Sequence, residues 1–251
     1  MMSGLISIIT ACYKESPARI RRTMESITVQ TYKDYELILI DGGSSKESID
    51  ELRRYPCRQL VTGADSGVYD AMNKGLSIAK GEWVMFMNIG DEYATKTALS
   101  EMISAIRLLP GYGWYYGDCY STDGTRRIWT PMPKKFTPFE SYHSVICHQT
   151  VITSRSLFDS LGFFDLTYKI RADHARQCRD ILSGYPGIHL PVTICIYEQG
   201  GLSSRGYMNK EELRRIQKEF FPCVVRAIYE LGWLWRKIKY RLVRQNYSWS
   251  A

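Results

Sequence analysis

Hydrophobic residues recur in two alternating rhythms along the first ninety positions. Residues 5–10 form a short run rich in β-branched side chains, which predicts a buried strand. Ser16 followed by Pro17 then gives a cap and a first-turn proline, opening a helix that should run to about Gln30. Residues 37–40 (LILI) predict a second buried strand, ending at Asp41 and the loop Gly42-Gly43-Ser44-Ser45. Residues 46–54 read as helix. Residues 59–61 read as a third strand, ending in the loop 62–67. Tyr69, Met72, Leu76 and Ala79 recur at helical spacing and predict an amphipathic helix over 68–80. Residues 83–87 form a fourth strand, ending in Asn88-Ile89-Gly90-Asp91-Glu92. Four strand–helix alternations predict an α/β fold, with a mostly parallel, Rossmann-like sheet and helices on both faces.

The second half is less regular. Residues 112–120 are aromatic-rich and strand-like, and Pro131, Pro133 and Pro138 break the next stretch into loop. Residues 150–152 read as strand, and 154–161 and 171–183 as helix. In the tail, Val224, Ile228, Leu231, Trp235, Ile238 and Leu242 step by four and three along one helical face. Arg226, Arg236, Lys237, Arg241 and Arg244 lie mostly on the other side. That pattern suits either an anionic membrane surface or packing on the domain with a solvated basic face.

Composition narrows the class. The chain has 251 residues, 45% hydrophobic and 24% charged, so it should bury a substantial core. It contains no 18-residue apolar run, and the first apolar stretch lacks the basic flank of a signal peptide. Seven scattered cysteines without a C-x-x-C pair fit a reduced, cytoplasmic chain. The net charge of +7 resides in residues 205–251, with eleven Lys and Arg against four Asp and Glu; the remainder is balanced. A neutral body argues against nucleic acid as the partner.

In an open parallel sheet, ligands bind beyond the carboxyl ends of the strands. Those ends carry Thr10 and Tyr13, then Asp41, Asp65 and Asp91. Neither G-x-G-x-x-G after the first strand nor a P-loop is present, which disfavours dehydrogenases and P-loop NTPases. An acidic edge accommodates a pyrophosphate when a divalent cation lies between them.

Several segments resemble family 2 glycosyltransferases of the GT-A fold. They are Ser7–Tyr13, Asp41-Gly42-Gly43-Ser44, residues 65–75 (DSGVYDAMNKG), Asn88–Asp91, Tyr116-Gly117-Asp118, Cys147-His148-Gln149, Gly162–Asp165, Ala172-Asp173 and Gly200–Ser203. The resemblance implies a catalytic domain over 1–205, with a nucleotide-binding half at 1–92 and an acceptor-side half at 93–205. Residues 206–251 would be a basic helical tail. It also implies inverting transfer from a nucleotide-sugar donor, UDP-linked by preference, to a saccharide or lipid-linked saccharide in bacterial surface polysaccharide synthesis. Such an enzyme would be cytoplasmic and peripheral at the inner membrane face, bound there through 223–244.

By that resemblance Thr10, Tyr13, Asp41, Asp65, Asn73 and Lys74 face the donor. Asp91 would hold Mn²⁺ or Mg²⁺, although Ile89-Gly90 stand where the fuller motif has another acid; Glu92 is a second candidate ligand. Asp173 is the expected base. Asp118, His148 and Gln149 belong to the acceptor or pyrophosphate side, and Gly200 and Gly201 to a closing loop. A sugar nucleotidyltransferase fits less well, because residues 10–15 lack the glycine-rich loop of that class. A non-catalytic membrane scaffold is the third reading. Zinc, drawn from His143, Cys147 and His148 or from His174 and Cys178, lacks a supporting C-x-x-C.

Overall fold

The computed structural model describes residues 5–200 and 206–247, the side chains of 206–208 and 237–247 excepted. Four parallel strands come from the first part of the chain: β1 (Ile6–Cys12), β2 (Tyr35–Asp41), β3 (Gln59–Thr62) and β4 (Trp83–Phe86). Between them run α1 (Pro17–Thr28), α2 (Lys46–Leu52) and α3 (Val68–Ile78). Ser16 Oγ accepts the Arg19 N–H and Ser45 Oγ the Ser48 N–H, so two short polar side chains fix where α1 and α2 begin. Each such cap is worth about 1 kcal/mol.

The remaining elements extend the same sheet. They are β5 (Glu92–Tyr93), α4 (Ala98–Leu108), β6 (Trp114–Thr122), β7 (Arg127–Thr130), β8 (Lys135–Phe136) and α5 (Pro138–His143). A 3-10 turn at His148–Thr150 leads into β9 (Val151–Ser154), α6 (Arg155–Leu161), α7 (Ala172–Leu182) and β10 (Gly187–Glu198). The strand order is β3-β2-β1-β4-β9-β6-β10-β5, with β7 on β6 and β8 on β10. β9 runs antiparallel between β4 and β6, so the sheet is parallel in its first half and mixed in its second.

Period-two alternation in β1 divides the core. Ile6, Ile8 and Cys12 face α1, α2 and α4 through Ile20, Met24, Leu52 and Met102. Ile9 and Ala11 face α3 and α7 through Met72, Leu76 and Ala175. Gly75 allows α3 to approach β1 closely: a Cβ there would lie 2.4 Å from Ile9 Cγ2.

Two C-terminal helices, α8 (Gly206–Phe220) and α9 (Cys223–Tyr247), pack on this second face. α9 docks on α5. Tyr229 meets Phe139 and Tyr142, Trp233 stacks on His143 at 4.5 Å, and Arg236 lies over Phe139 and pairs with Glu140. The stripe Val224, Ile228, Leu231 and Trp235 faces away and is 58–71% exposed. The docking face therefore lies one residue further round the helix than the apolar stripe. Ile238, Leu242, Lys237, Arg241 and Arg244 fall outside the residues whose side chains are described.

Candidate active site

β1 to β4 end together. Cys12 is in register with Asp41, Asp41 with Thr62, and Ile9 with Phe86. Past β4 the chain stays bonded to β1, with the Met87 N–H donating to Ile9 O and the Ile89 N–H to Ala11 O. Asp41, the loop carrying Asp65, and residues 88–91 thus line one edge, as the strand-end rule requires. Gly90 has φ +109, a conformation that L side chains rarely adopt, so the turn into Asp91 favours glycine.

Asp91 is 7% exposed, and both its oxygens are engaged. Oδ2 accepts from Gln149 Nε2 at 2.7 Å and Oδ1 from the Glu198 N–H at 3.1 Å. Burial raises its pKa above the usual range, against the pull of Gln149, His148, the Glu198 N–H and Arg19. Glu92 turns away to Arg22, at 3.0 Å.

Asp173 stands in the first turn of α7. His148 Nδ1 lies 3.4 Å from its Oδ2, and the Tyr69 hydroxyl 2.9 Å from its Oδ1. Burial works to raise the Asp173 pKa. The hydrogen bond and charge of His148, with bonds from Tyr69 and the His174 N–H, outweigh burial and hold the carboxyl below its usual range. Asn88 Nδ2 reaches His148 Nε2 at 3.2 Å, and Asn88 Oδ1 accepts from the Ala11 N–H. The other ring nitrogen, Nδ1, is left facing Asp173. Two neighbours in one 3-10 turn thus hold the two acids: Gln149 takes Asp91, and His148 takes Asp173.

Beneath α7 a small cavity begins at His148 and Asp173 and reaches Trp114 and Asp180. It holds about 30 Å³, room for one or two waters. On its wall Arg176 pairs with Asp180 at 2.7 Å, and burial pushes Asp180 up to about 6 despite that partner.

An acid beyond a strand end and a second acid at a helix start, tied through neighbouring residues of one turn, match an edge built for group transfer. The sequence model described as Glycosyl transferase family 2 matches residues 7–161. The chain belongs to that family. A PGL/p-HBAD biosynthesis glycosyltransferase of Mycobacterium tuberculosis is 28% identical over 236 residues, 90% of either chain. An uncharacterized glycosyltransferase of the same species is 27% identical over 209 residues, 79% of this chain and 77% of the other. Among solved structures, TarS of S. aureus in complex with UDP-GlcNAc superposes with TM-score 0.69 at 16% identity, covering 84% of this chain and 64% of that one. The mannosyltransferase PcManGT of Pyrobaculum calidifontis, in complex with GDP-Man and Mn²⁺, gives 0.61 at 20% identity, covering 83% and 60%. These likenesses show the GT-A fold.

The family 2 glycosyltransferase edge gathers most of the expected residues, with several in tasks the sequence did not reveal. Asp41 is 1% exposed, and its Oδ2 accepts from the Gly43 and Ser44 N–H groups at 3.1 Å. Asp65 accepts from the Gly67 N–H and lies against Gly42. Tyr13 is 58% exposed at the end of β1, while Thr10 is fully buried with its hydroxyl unbonded. The Asn73 amide closes a two-way bond with the Phe164 backbone, pinning the loop before α7. Lys74 is similarly tied to Asp70 and to Ala64 O. Asp118 accepts from the Met132 N–H and meets His189 Nε2 at 3.0 Å, which makes it a strut between β6 and β10. Gly200 is exposed with φ +94, and Gly201 lies outside the described residues. His174 and Cys178 both reach Ser141 O, so they join α7 to α5. Among the described residues no three His, Cys, Asp or Glu side chains are disposed as a metal cage. Tyr69, Asn88 and Arg19 were missed as site residues, because only contact across the fold reveals them.

Proposed function

We propose that this glycosyltransferase moves a sugar from a UDP-linked donor to a hydroxyl of a saccharide or lipid-linked saccharide, with inversion, in the making of a bacterial surface polysaccharide. The carrying observation is Asp173, held by His148 and Tyr69 and linked through the 147–150 turn to Asp91. Asp173 takes the proton from the acceptor hydroxyl as its oxygen attacks the anomeric carbon, and the nucleotide diphosphate departs from the opposite face. One displacement inverts the centre. Its depressed pKa keeps Asp173 ionised, and so ready to accept, throughout the neutral range. The UDP-sugar reading draws on the TarS complex with UDP-GlcNAc.

The donor set fits a divalent cation only if the cation is shared with the donor. Asp91 supplies one carboxylate, whose oxygens already accept one hydrogen bond each. Mg²⁺ and Mn²⁺ sites of this kind complete themselves with phosphate oxygens and waters. A cation held there by Asp91 would supply charge neutralisation for the leaving diphosphate. Gln149 and the Glu198 N–H fix the direction in which the Asp91 carboxylate points.

Among the described residues no helix is long and apolar enough to cross a membrane. The exposed stripe Val224, Ile228, Leu231 and Trp235, on a helix belonging to a basic tail, suits the surface of an anionic bilayer at the cytoplasmic face. That placement brings the enzyme to lipid-linked acceptors.

A melting screen against UDP- and GDP-sugars, with and without Mn²⁺, tests the donor. At 100 times its Kd a true donor stabilises the fold by about 2.7 kcal/mol. A UDP-sugar should give the largest shift, and a larger one with Mn²⁺. A protein whose melting is indifferent to every nucleotide-sugar is not this enzyme.

A further inference from the structure

The segment carrying Asp173 is held from outside its own helix. α7 starts without a cap of its own: Arg171 occupies the N-cap position and makes no side-chain cap bond. The N–H groups of residues 169–171 lie ahead of that helix, outside its hydrogen-bond ladder, and need acceptors from elsewhere. Glu212, in α8, accepts all three. Its Oε1 takes the Lys169 N–H at 2.7 Å, and its Oε2 takes the Ile170 N–H at 2.9 Å and the Arg171 N–H at 2.8 Å. Hydrogen bonds to an ionised acceptor are among the strong ones.

The same segment is gripped on its other side. The Tyr69 hydroxyl lies 2.7 Å from Ile170 O and 2.9 Å from Asp173 Oδ1, its one proton shared between them. The Arg171 guanidinium donates to the Asn209 carbonyl and side-chain oxygens, and to His174 Nδ1 at 3.0 Å. Ile170 is thus bound through its N–H by α8 and through its carbonyl by α3. Asp173 follows three residues later.

We infer that Glu212 is a positioning residue: by gathering the three N–H groups ahead of α7, it sets where the Asp173 carboxylate stands relative to His148 and the acceptor hydroxyl. The inference rests on Asp173 being the base. Catalysis is sensitive to such placement, since a shift of about 1 Å can cost about 10²-fold in rate. Glu212 touches no reacting atom, and its effect passes wholly through residues 169–173.

Full-length Glu212→Ala and Glu212→Gln test this beside Asp173→Asn. The probe is nucleotide release from whichever nucleotide-sugar stabilises the wild type most. Glu212→Ala should lose about tenfold or more in kcat with donor KM unchanged. Glu212→Gln, which keeps one acceptor oxygen, should recover part of that loss. The groups facing Asp173 are His148, Tyr69, Arg171 and His174, with Glu212 behind Arg171. Loosening the His148 and Tyr69 bonds weakens what lowers the Asp173 pKa, so the acid limb of kcat should move to higher pH in Glu212→Ala. Glu212 lies against Arg171, which offsets its charge at the base.

Wild-type kcat and pH profile in both folded variants overturn the inference. So does a fall in kcat and donor affinity together with the profile unmoved, which marks a merely structural role. If Glu212→Ala does not fold, Glu212→Gln carries the same readouts alone. Asp173→Asn separates the two claims. Wild-type turnover there removes the base assignment and this inference with it. A large loss there, with none in the Glu212 variants, removes this inference only.

Discussion

Asp91 shows how much one carboxylate is asked to do. It is buried, its pKa is raised, and its two oxygens anchor Gln149 and the end of β10. Asp91→Ala should therefore abolish the Mn²⁺-dependent part of donor binding, while the β1–β4 edge remains built. Calorimetry of donor binding with and without Mn²⁺ checks this; an unchanged metal dependence would place the cation elsewhere. At this scale the sequence is informative wherever position alone decides. That Asp41, Asp65 and Asp91 share one edge was legible because a strand end is a place in the chain, whereas Asp173 was singled out by the family resemblance. The bond from the Asn73 amide to Phe164, 91 residues away, was not legible, since nothing local to α3 shows it. Tyr69 read as one member of a helical apolar series, and it is buried, yet its hydroxyl reaches Asp173.

Among the elements, α9 separates two ideas that the sequence left joined. Periodicity located its apolar stripe, and the structure shows a second face, through Tyr229, Trp233 and Arg236, docked on α5. Packing on the domain and an exposed apolar stripe coexist on one helix. Replacing Val224, Ile228, Leu231 and Trp235 together by Ser should abolish co-sedimentation with anionic liposomes. Exposed substitutions of this kind usually shift stability by less than about 0.5 kcal/mol each, so melting should hardly move. Undiminished sedimentation would remove the stripe from the membrane contact. Salt should weaken wild-type binding, because surface charges are screened over about 8 Å at physiological ionic strength. α3 was legible from its period. α4 was legible in principle, with Ala98, Leu99, Met102, Ile103 and Ile106 buried at helical spacing, but no expectation was attached to that stretch. β10 was harder: Pro191 interrupts it, and its register against β6 shifts between His189 and Cys195.

Across the whole molecule, one sheet joins a parallel first half to a mixed second half. The parallel strands β1 to β4 carry the acidic edge, and β9 inserts antiparallel between β4 and β6. The turn just before β9 supplies both His148 and Gln149, so the seam of the sheet is also where the two acids are tied together. Four strands alternating with three helices made the first half readable, because local period and global topology agree there. The mixed second half was not, because its strand order follows from pairings between distant segments. In the proposed reaction this seam serves proton removal during sugar transfer. Asp173→Asn keeps the shape of the side chain and removes its basicity, so the most direct measurement is its turnover beside its donor affinity. Donor affinity should match the wild type, while turnover falls by about 10²-fold or more. Turnover at the wild-type rate, or donor binding lost in step with turnover, would contradict the assignment of Asp173 as the base.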